Sequence, residues 1–262
     1  MKKAIQYLLI SFLVLAVTSC TSDDEINEEQ LLRTLIEVNV DGTSETTHLT
    51  YDGTKILSIV SPTKNETFEY TGELITRINS MDIPNQELTI FDYIYTNGEL
   101  TKVICSENYV LNFVHNADGT VSYEKITLDT NNNEVLVYHG TLYFQGQNAL
   151  EDKRVLDNTV SNEVHKQEVS FVYDVKTNPL NSITGYSKLL DHFTTISANN
   201  VASNIEIYSV NYLDTEQATS SAIQYARNYQ YDNNGYPTEI LSPYPVFGPR
   251  NDNHLKSLYF YE

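Results

Sequence analysis

The chain has 262 residues, a formal net charge of −19 from 35 acidic against 16 basic side chains, 20 tyrosines, no tryptophan and two cysteines. Acidity on this scale repels phosphate backbones, and no cluster of Lys or Arg offsets it, so neither nucleic acid nor an anionic lipid surface is an expected partner. The length suits one sizeable domain or two small ones. No Pro/Gly/Ser linker or charge run divides the chain after about residue 30, so a single domain over residues 31–262 is expected.

At the N-terminus, Lys2 and Lys3 precede an apolar stretch from Ile5 to Val17 that Gln6, Tyr7 and Ser11 interrupt. That stretch falls short of the roughly 20 apolar residues a spanning helix needs, and its layout is that of a secretory signal peptide, residues 1–19. Val17-Thr18-Ser19-Cys20 resembles the lipobox of bacterial lipoproteins. The resemblance implies cleavage between Ser19 and Cys20, a diacylglycerol on the Cys20 thiol and a further palmitate-like acyl chain on its amine. Each buried methylene adds about 0.8 kcal/mol of membrane affinity and one chain holds only reversibly, so two or three chains would anchor the protein durably. Membrane lipid through Cys20 is thus the expected partner.

Residues 20–30 follow with Asp23, Asp24, Glu25, Glu28 and Glu29, a composition that reads as a solvated, disordered tether. "CTSDDE" is similar to the acidic signal that follows the lipidated cysteine in many Bacteroidota lipoproteins. There, residues in the positions of Asp23, Asp24 and Glu25 direct export to the outer face of the outer membrane. With Cys20 lipidated, Cys105 has no intramolecular partner, and "VICSE" reads as a strand in which the thiol packs as a small hydrophobe.

From residue 45 onward a weak repeat runs along the chain: "LTYDGTKILSI" (49–59), "FEYTGELITRI" (68–78), "YIYTNGELTKV" (93–103), "FVHNADGTVSY" (113–123) and "YQYDNNGYPTEI" (229–240), with weaker copies at 141–150 and 170–180. Each is an aromatic-rich strand, a short Asp/Asn/Gly turn and a second strand with apolar residues two apart. Tight hairpins need positive φ at a central position, and Gly53, Gly72, Gly98, Gly119 and Gly235 stand there. Phe91, Tyr93 and Tyr95 alternate with Leu88, Ile90 and Ile94, which predicts a strand covered on both faces. Ile223, Tyr225, Tyr229 and Tyr231 alternate with Gln224, Asn228 and Gln230, which predicts one wet face. These units resemble the tyrosine–aspartate (YD) repeat, and more particularly surface lipoproteins of Bacteroidota built from such hairpins. Tyr51-Asp52-Gly53 and Tyr231-Asp232-Asn233-Asn234-Gly235 match best, Tyr70 and Tyr95 lack the Asp, and His115 replaces the Tyr of the fourth unit. The resemblance implies a mostly β fold, an antiparallel meander, and scarcely any activity.

One segment departs from period two. Within residues 178–200, Ile183, Tyr186, Leu190 and Phe193 stand three or four apart, the stripe of one short helix near residues 182–194. Its expected role is to cover an open sheet face or edge; the other is a gate over a cleft, with Asp191 and His192 near the mouth.

The six histidines are scattered without a zinc pattern, no nucleophile elbow or phosphate loop exists, and "LDTNNNE" (128–134) places Glu134 where a calcium loop needs glycine. It reads as a polar turn. No metal, cofactor or catalytic residue is assigned. The tyrosines would suit a protein- or glycan-binding surface, although cross-strand packing accounts for them as well. A membrane-spanning barrel is the weaker rival, because strands such as "VSYEKITL" carry charge on both faces. The sequence thus points to an outer-membrane lipoprotein facing the cell exterior, with a non-catalytic binding or structural module. An enzyme acting on surface polysaccharide or peptide is the alternative.

Overall fold

A computed structural model of the chain describes residues 30–157, 162–215, 217–247 and 250–262. The signal peptide, Ser19, Cys20 and the acidic run Asp23–Glu25 lie outside the described residues. The strands are β1 (Leu32–Asn39), β2 (Ser44–Asp52), β3 (Lys55–Val60), β4 (Lys64–Thr71), β5 (Leu74–Asp82), β6 (Glu87–Thr96), β7 (Glu99–Cys105), β8 (Tyr109–His115) and β9 (Val121–Leu128). They continue with β10 (Glu134–Gln145), β11 (Asn148–Leu156), β12 (Glu163–Thr177), β13 (Asn199–Tyr212), β14 (Gln217–Ala226), β15 (Asn228–Tyr231), β16 (Pro237–Leu241) and β17 (His254–Tyr261).

Each strand from β1 to β14 pairs antiparallel with the next, as the hairpin repeat predicts. β15, β16 and β17 continue the meander, and β17 pairs with β1, so the sheet returns on itself as a nearly closed barrel. The irregular place is Arg227. β14 and β15 are two halves of one extended run: the first pairs with β13 and the second with β16, while the Arg227 amide still bonds Ala202 O at 2.9 Å. Among the described strands β14 has no partner on its other edge, and this leaves a seam.

The repeated aromatic explains itself in the register. A bulge falls just before Tyr51, Tyr70, Tyr95, Phe144 and Tyr231, which twists the strand and turns each ring into the lumen. Lumenal tyrosines then close the end of a neighbouring ladder. Tyr51 OH donates to Leu32 O at 2.8 Å, Tyr95 OH to Ile75 O at 2.9 Å, Tyr229 OH to Val201 O at 3.1 Å and Tyr261 OH to Pro237 O at 2.7 Å. Tyr173 OH donates likewise to Ala149 O. His115, in place of a tyrosine, does the same through Nε2 to Leu100 O at 2.9 Å. Each acceptor lies near the start of a neighbouring strand, where the backbone carbonyl of a buried residue would otherwise go unpaired. The five predicted turn glycines all have positive φ, as does Gly146. Asp129 accepts from the backbones of Asn131 and Asn133, so residues 128–134 form the expected polar turn.

The lumen holds the core: Leu32, Leu35, Ile56, Ile75, Ile78, Leu100 and Val103 are almost wholly excluded from water, and Cys105 packs there as a buried free thiol. The outward face mixes exposed apolar residues, such as Ile104 and Val114, with polar pairs. Arg77 Nε bonds Asp92 at 2.7 Å, Asn112 bonds Glu124 at 3.1 Å and Asn79 bonds Glu69 at 3.3 Å, each beside an inward apolar residue. The expectation that β6 is covered on both faces fails: Leu88 is 50% and Ile94 43% exposed, because the barrel wall is a single layer with nothing packed outside it. The Tyr225–Tyr231 run does have its aromatic face inward and its Asn228 and Gln230 face in water, but Ile223, expected on the covered face, is exposed.

The single short helix expected near residues 182–194 is instead three 3-10 turns, Pro179–Ser182, Tyr186–Lys188 and Leu190–His192. Gly185 at φ 76° and Leu189 at ψ 81° break the α-helical path between them. The stripe itself is buried as expected, but inside the barrel rather than over an edge. Backbone groups of the segment bond the hairpin turns at this end of the barrel, Thr184 N to Thr54 O at 3.0 Å and Ala198 N to Gln147 O at 3.2 Å. The β12–β13 connection is therefore a plug. Phe193 stands edge-on to Phe144 and Phe171 at 5.9 and 5.8 Å.

Candidate functional site

Between the plug and the seam the lumen encloses a cavity of about 400 Å³. Its floor is the buried plug, with Leu180 and Ser197, and its far end is Tyr244, Pro245 and Val246 from the β16–β17 connection. Those three are half-exposed, which puts the mouth at the seam rim. Strands β11 to β13 and β15 to β17 supply the walls, and the period-two alternation that buries aromatic residues elsewhere here turns charged ones inward.

On one wall, Asp152 and Arg154 of β11 form a closed network. Arg154 Nη2 bonds Asp152 Oδ2 at 2.9 Å, Arg154 Nε bonds the Tyr123 oxygen at 2.9 Å, and Tyr123 OH donates to Asp152 Oδ1. Gly140 makes room for this: a Cβ there would lie 2.6 Å from both the Tyr123 hydroxyl and Lys153 O. Burial nonetheless pushes the Asp152 carboxyl above its ordinary range, with Arg154 opposing. At the floor, Tyr93 OH donates to Asp191 Oδ2 at 3.0 Å, and Asp191 Oδ1 is buried with no hydrogen-bond partner among the described residues.

At the seam the arrangement is different. Arg227 lies over the Tyr244 ring, 4.8 Å from its centroid, and Tyr244 OH donates to Glu206. Asn204, 1% exposed, donates its Nδ2 to Glu206 Oε1 at 3.1 Å. That bond sets the amide orientation, since a flipped amide would press an oxygen against a carboxylate. Its Oδ1 is left without a partner among the described residues, and so is Nη1 of Arg227. Burial pushes the Arg227 guanidinium below its ordinary value, and the groups that act against this are phenols, Tyr229, Tyr244, Tyr259 and Tyr173. Burial together with the bond to Glu206 raises the Tyr244 phenol to about 12. Arg154 is neutralised in place; Arg227 is a desolvated cation flanked by rings.

No family model matches the chain, and no curated protein matches it. Among solved structures it is similar to a porin-like protein from Bacteroides uniformis, at 14% identity and a TM-score of 0.48, covering 87% of this chain and 96% of that one. Among the described residues no group of three His, Cys, Asp or Glu side chains is placed to hold a metal. Of the pair expected near the mouth of a cleft, Asp191 lines the cavity at its floor instead, and His192 is not among the lining residues. Arg227, Asn204, Asp152 and Arg154 were missed. A signal for Arg227 existed: it occupies an inward position of "YARNYQY", between Tyr225 and Tyr229, where a charge interrupts an aromatic face.

Proposed function

We propose that the protein is a non-catalytic binding module, held at the outer membrane by lipid on Cys20 and facing the cell exterior, that takes a small ligand into its lumen. The observation that carries the binding half is the cavity, in the size range of small-molecule sites and lined by apolar side chains with a few polar ones, Asp191, Asn204, Glu206 and Arg227 among them. The partner is a glycan or a fragment of a protein. A surface hydrolase is the alternative, since Asp152 and Asp191 line one cavity. Against it, both Asp152 oxygens are already occupied by Tyr123 and Arg154.

The anchoring half draws support from the outward face. A spanning barrel needs an unbroken apolar outer band about 25 Å tall, whereas this wall interrupts its outward apolar residues, such as Leu88, Ile94, Ile104 and Val114, with Arg77, Asp92, Asn112 and Glu124. An N-terminal lipid would supply the attachment that the wall does not. Replacing Cys20 with Ser should leave the protein unprocessed or free of the membrane fraction, as fractionation and mass spectrometry of the N-terminus would read. Unchanged membrane retention rejects the anchor. Protease shaving of intact cells should cleave the native protein and spare a variant with Asp23→Asn, Asp24→Asn and Glu25→Gln. Equal cleavage of both counts against the export signal.

A further inference from the structure

Among the described strands β14 is paired along one edge only, with β13, and its residues from Gln217 to Gln224 are all exposed. The Arg227 amide bonds Ala202 O at 2.9 Å and Ser203 stands opposite Ala226, so the odd-numbered residues of β14 turn their backbone groups toward β13. Ala218, Ser220, Ala222 and Gln224 therefore present theirs along the open edge. Natural edge strands are guarded by lysine, proline, a bulge or an inward charge. Gln217–Ala226, QATSSAIQYA, contains no charged residue and no proline, and its register with β13 runs without a bulge. Such an edge is a template for a further strand.

We propose that this edge joins two copies of the chain, β14 against β14, antiparallel and in register about Ser220. Two-fold symmetry then sets Ser220 opposite Ser220, Ala218 opposite Ala222 and Thr219 opposite Ser221, so small side chains meet small ones. The same register brings open backbone groups to open backbone groups: Ala218, Ser220 and Ala222 of each copy exchange N–H···O bonds with the other. Charge singles out this strand as well. Chains of net charge −19 repel one another, and an uncharged strand is where two of them can approach. The register leaves Tyr225 clear, where Arg250 already packs 4.9 Å from the ring centroid. This interface is independent of what the lumen binds.

The test is sedimentation equilibrium of the full-length chain in detergent, from about 1 to 100 μM, where a monomer–dimer equilibrium is expected. Ser220→Lys sets two cations against each other on the symmetry axis, and Ser220→Pro removes an outward N–H that β13 does not use. Each should weaken the dimer by at least about ten-fold while the β circular dichroism stays that of the parent. A shared micelle can hold two chains together, so the position of the contact is read separately. Ser220→Cys should cross-link the two copies on mild oxidation, and Val175→Cys, 90% exposed elsewhere in the wall, should not. A monomer at every concentration overturns the proposal, and so does a dimer that Ser220→Lys leaves intact. Protection of the Ser220 amide from hydrogen exchange in a monomer, which would mean that the chain's own residues cover the edge, overturns it too.

Discussion

A tyrosine before a glycine turn reads, in sequence, as a β-former beside a bend. In the barrel its hydroxyl also ends the ladder of a neighbouring strand, by meeting a carbonyl of a residue that water does not reach. Ile75 is wholly buried, so Tyr95→Phe would leave its carbonyl short of the 2.9 Å bond it now accepts. The expected loss is about 1–2 kcal/mol in a urea unfolding curve. The same reasoning applies at His115, which reaches Leu100 O from the equivalent place. His115→Phe should destabilise comparably, and His115→Tyr should recover most of the loss by restoring a donor. A tyrosine variant no better than phenylalanine there would mean that ring packing, not the hydrogen bond, is what the position supplies.

At the scale of elements, the plug depends on one glycine. Gly185 has φ 76°, and a Cβ on it would stand 2.6 Å from Glu73 O and 3.2 Å from Ile75 N, both backbone atoms of the β4–β5 hairpin and its outgoing strand. Gly53 has φ 59° but open space around its missing side chain. Gly53→Ala should therefore carry only the cost of left-handed backbone, about 1 kcal/mol, whereas Gly185→Ala adds displacement of the plug and should cost at least about 2 kcal/mol more. Chemical denaturation of the two variants side by side checks this, and equal losses would place the plug loosely in the lumen. The turn at Gly185 was legible in sequence only as a glycine within an apolar stripe. The stripe rightly marked Ile183, Tyr186, Leu190 and Phe193 for burial. It could not show that the backbone would turn out of the α-helical path at Gly185 and Leu189 and so divide the helix into three turns.

For the whole molecule, folding turns most of the phenols inward and away from water, where a phenolate is unwelcome. Burial raises Tyr70 and Tyr173 to about 12, and it drives Tyr93 and Tyr259 well above the ordinary value. A pKa raised on folding means that stability is intact below the unfolded value near 10 and is lost as pH climbs toward the folded value. The protein should accordingly unfold cooperatively between about pH 10 and 12, with phenolate absorbance and loss of β circular dichroism rising together. Smooth phenolate titration while the β spectrum persists would show that these phenols meet water in the folded barrel.

The hairpin architecture was readable from the residues alone, because a glycine or asparagine at positive φ between strands of period two leaves the backbone few other choices. Aromatic rings on one face of each strand determined which side would become the interior. Closure was not readable. That β17 returns to β1, that β14 and β15 part at Arg227 to open a seam, and that the plug lies within the lumen all depend on accumulated twist and on hydrogen bonds between residues far apart in the chain. The cavity belongs to that second class: Asn204, Arg227 and Tyr244 have meaning as a group only once the wall has curved far enough to bring them together.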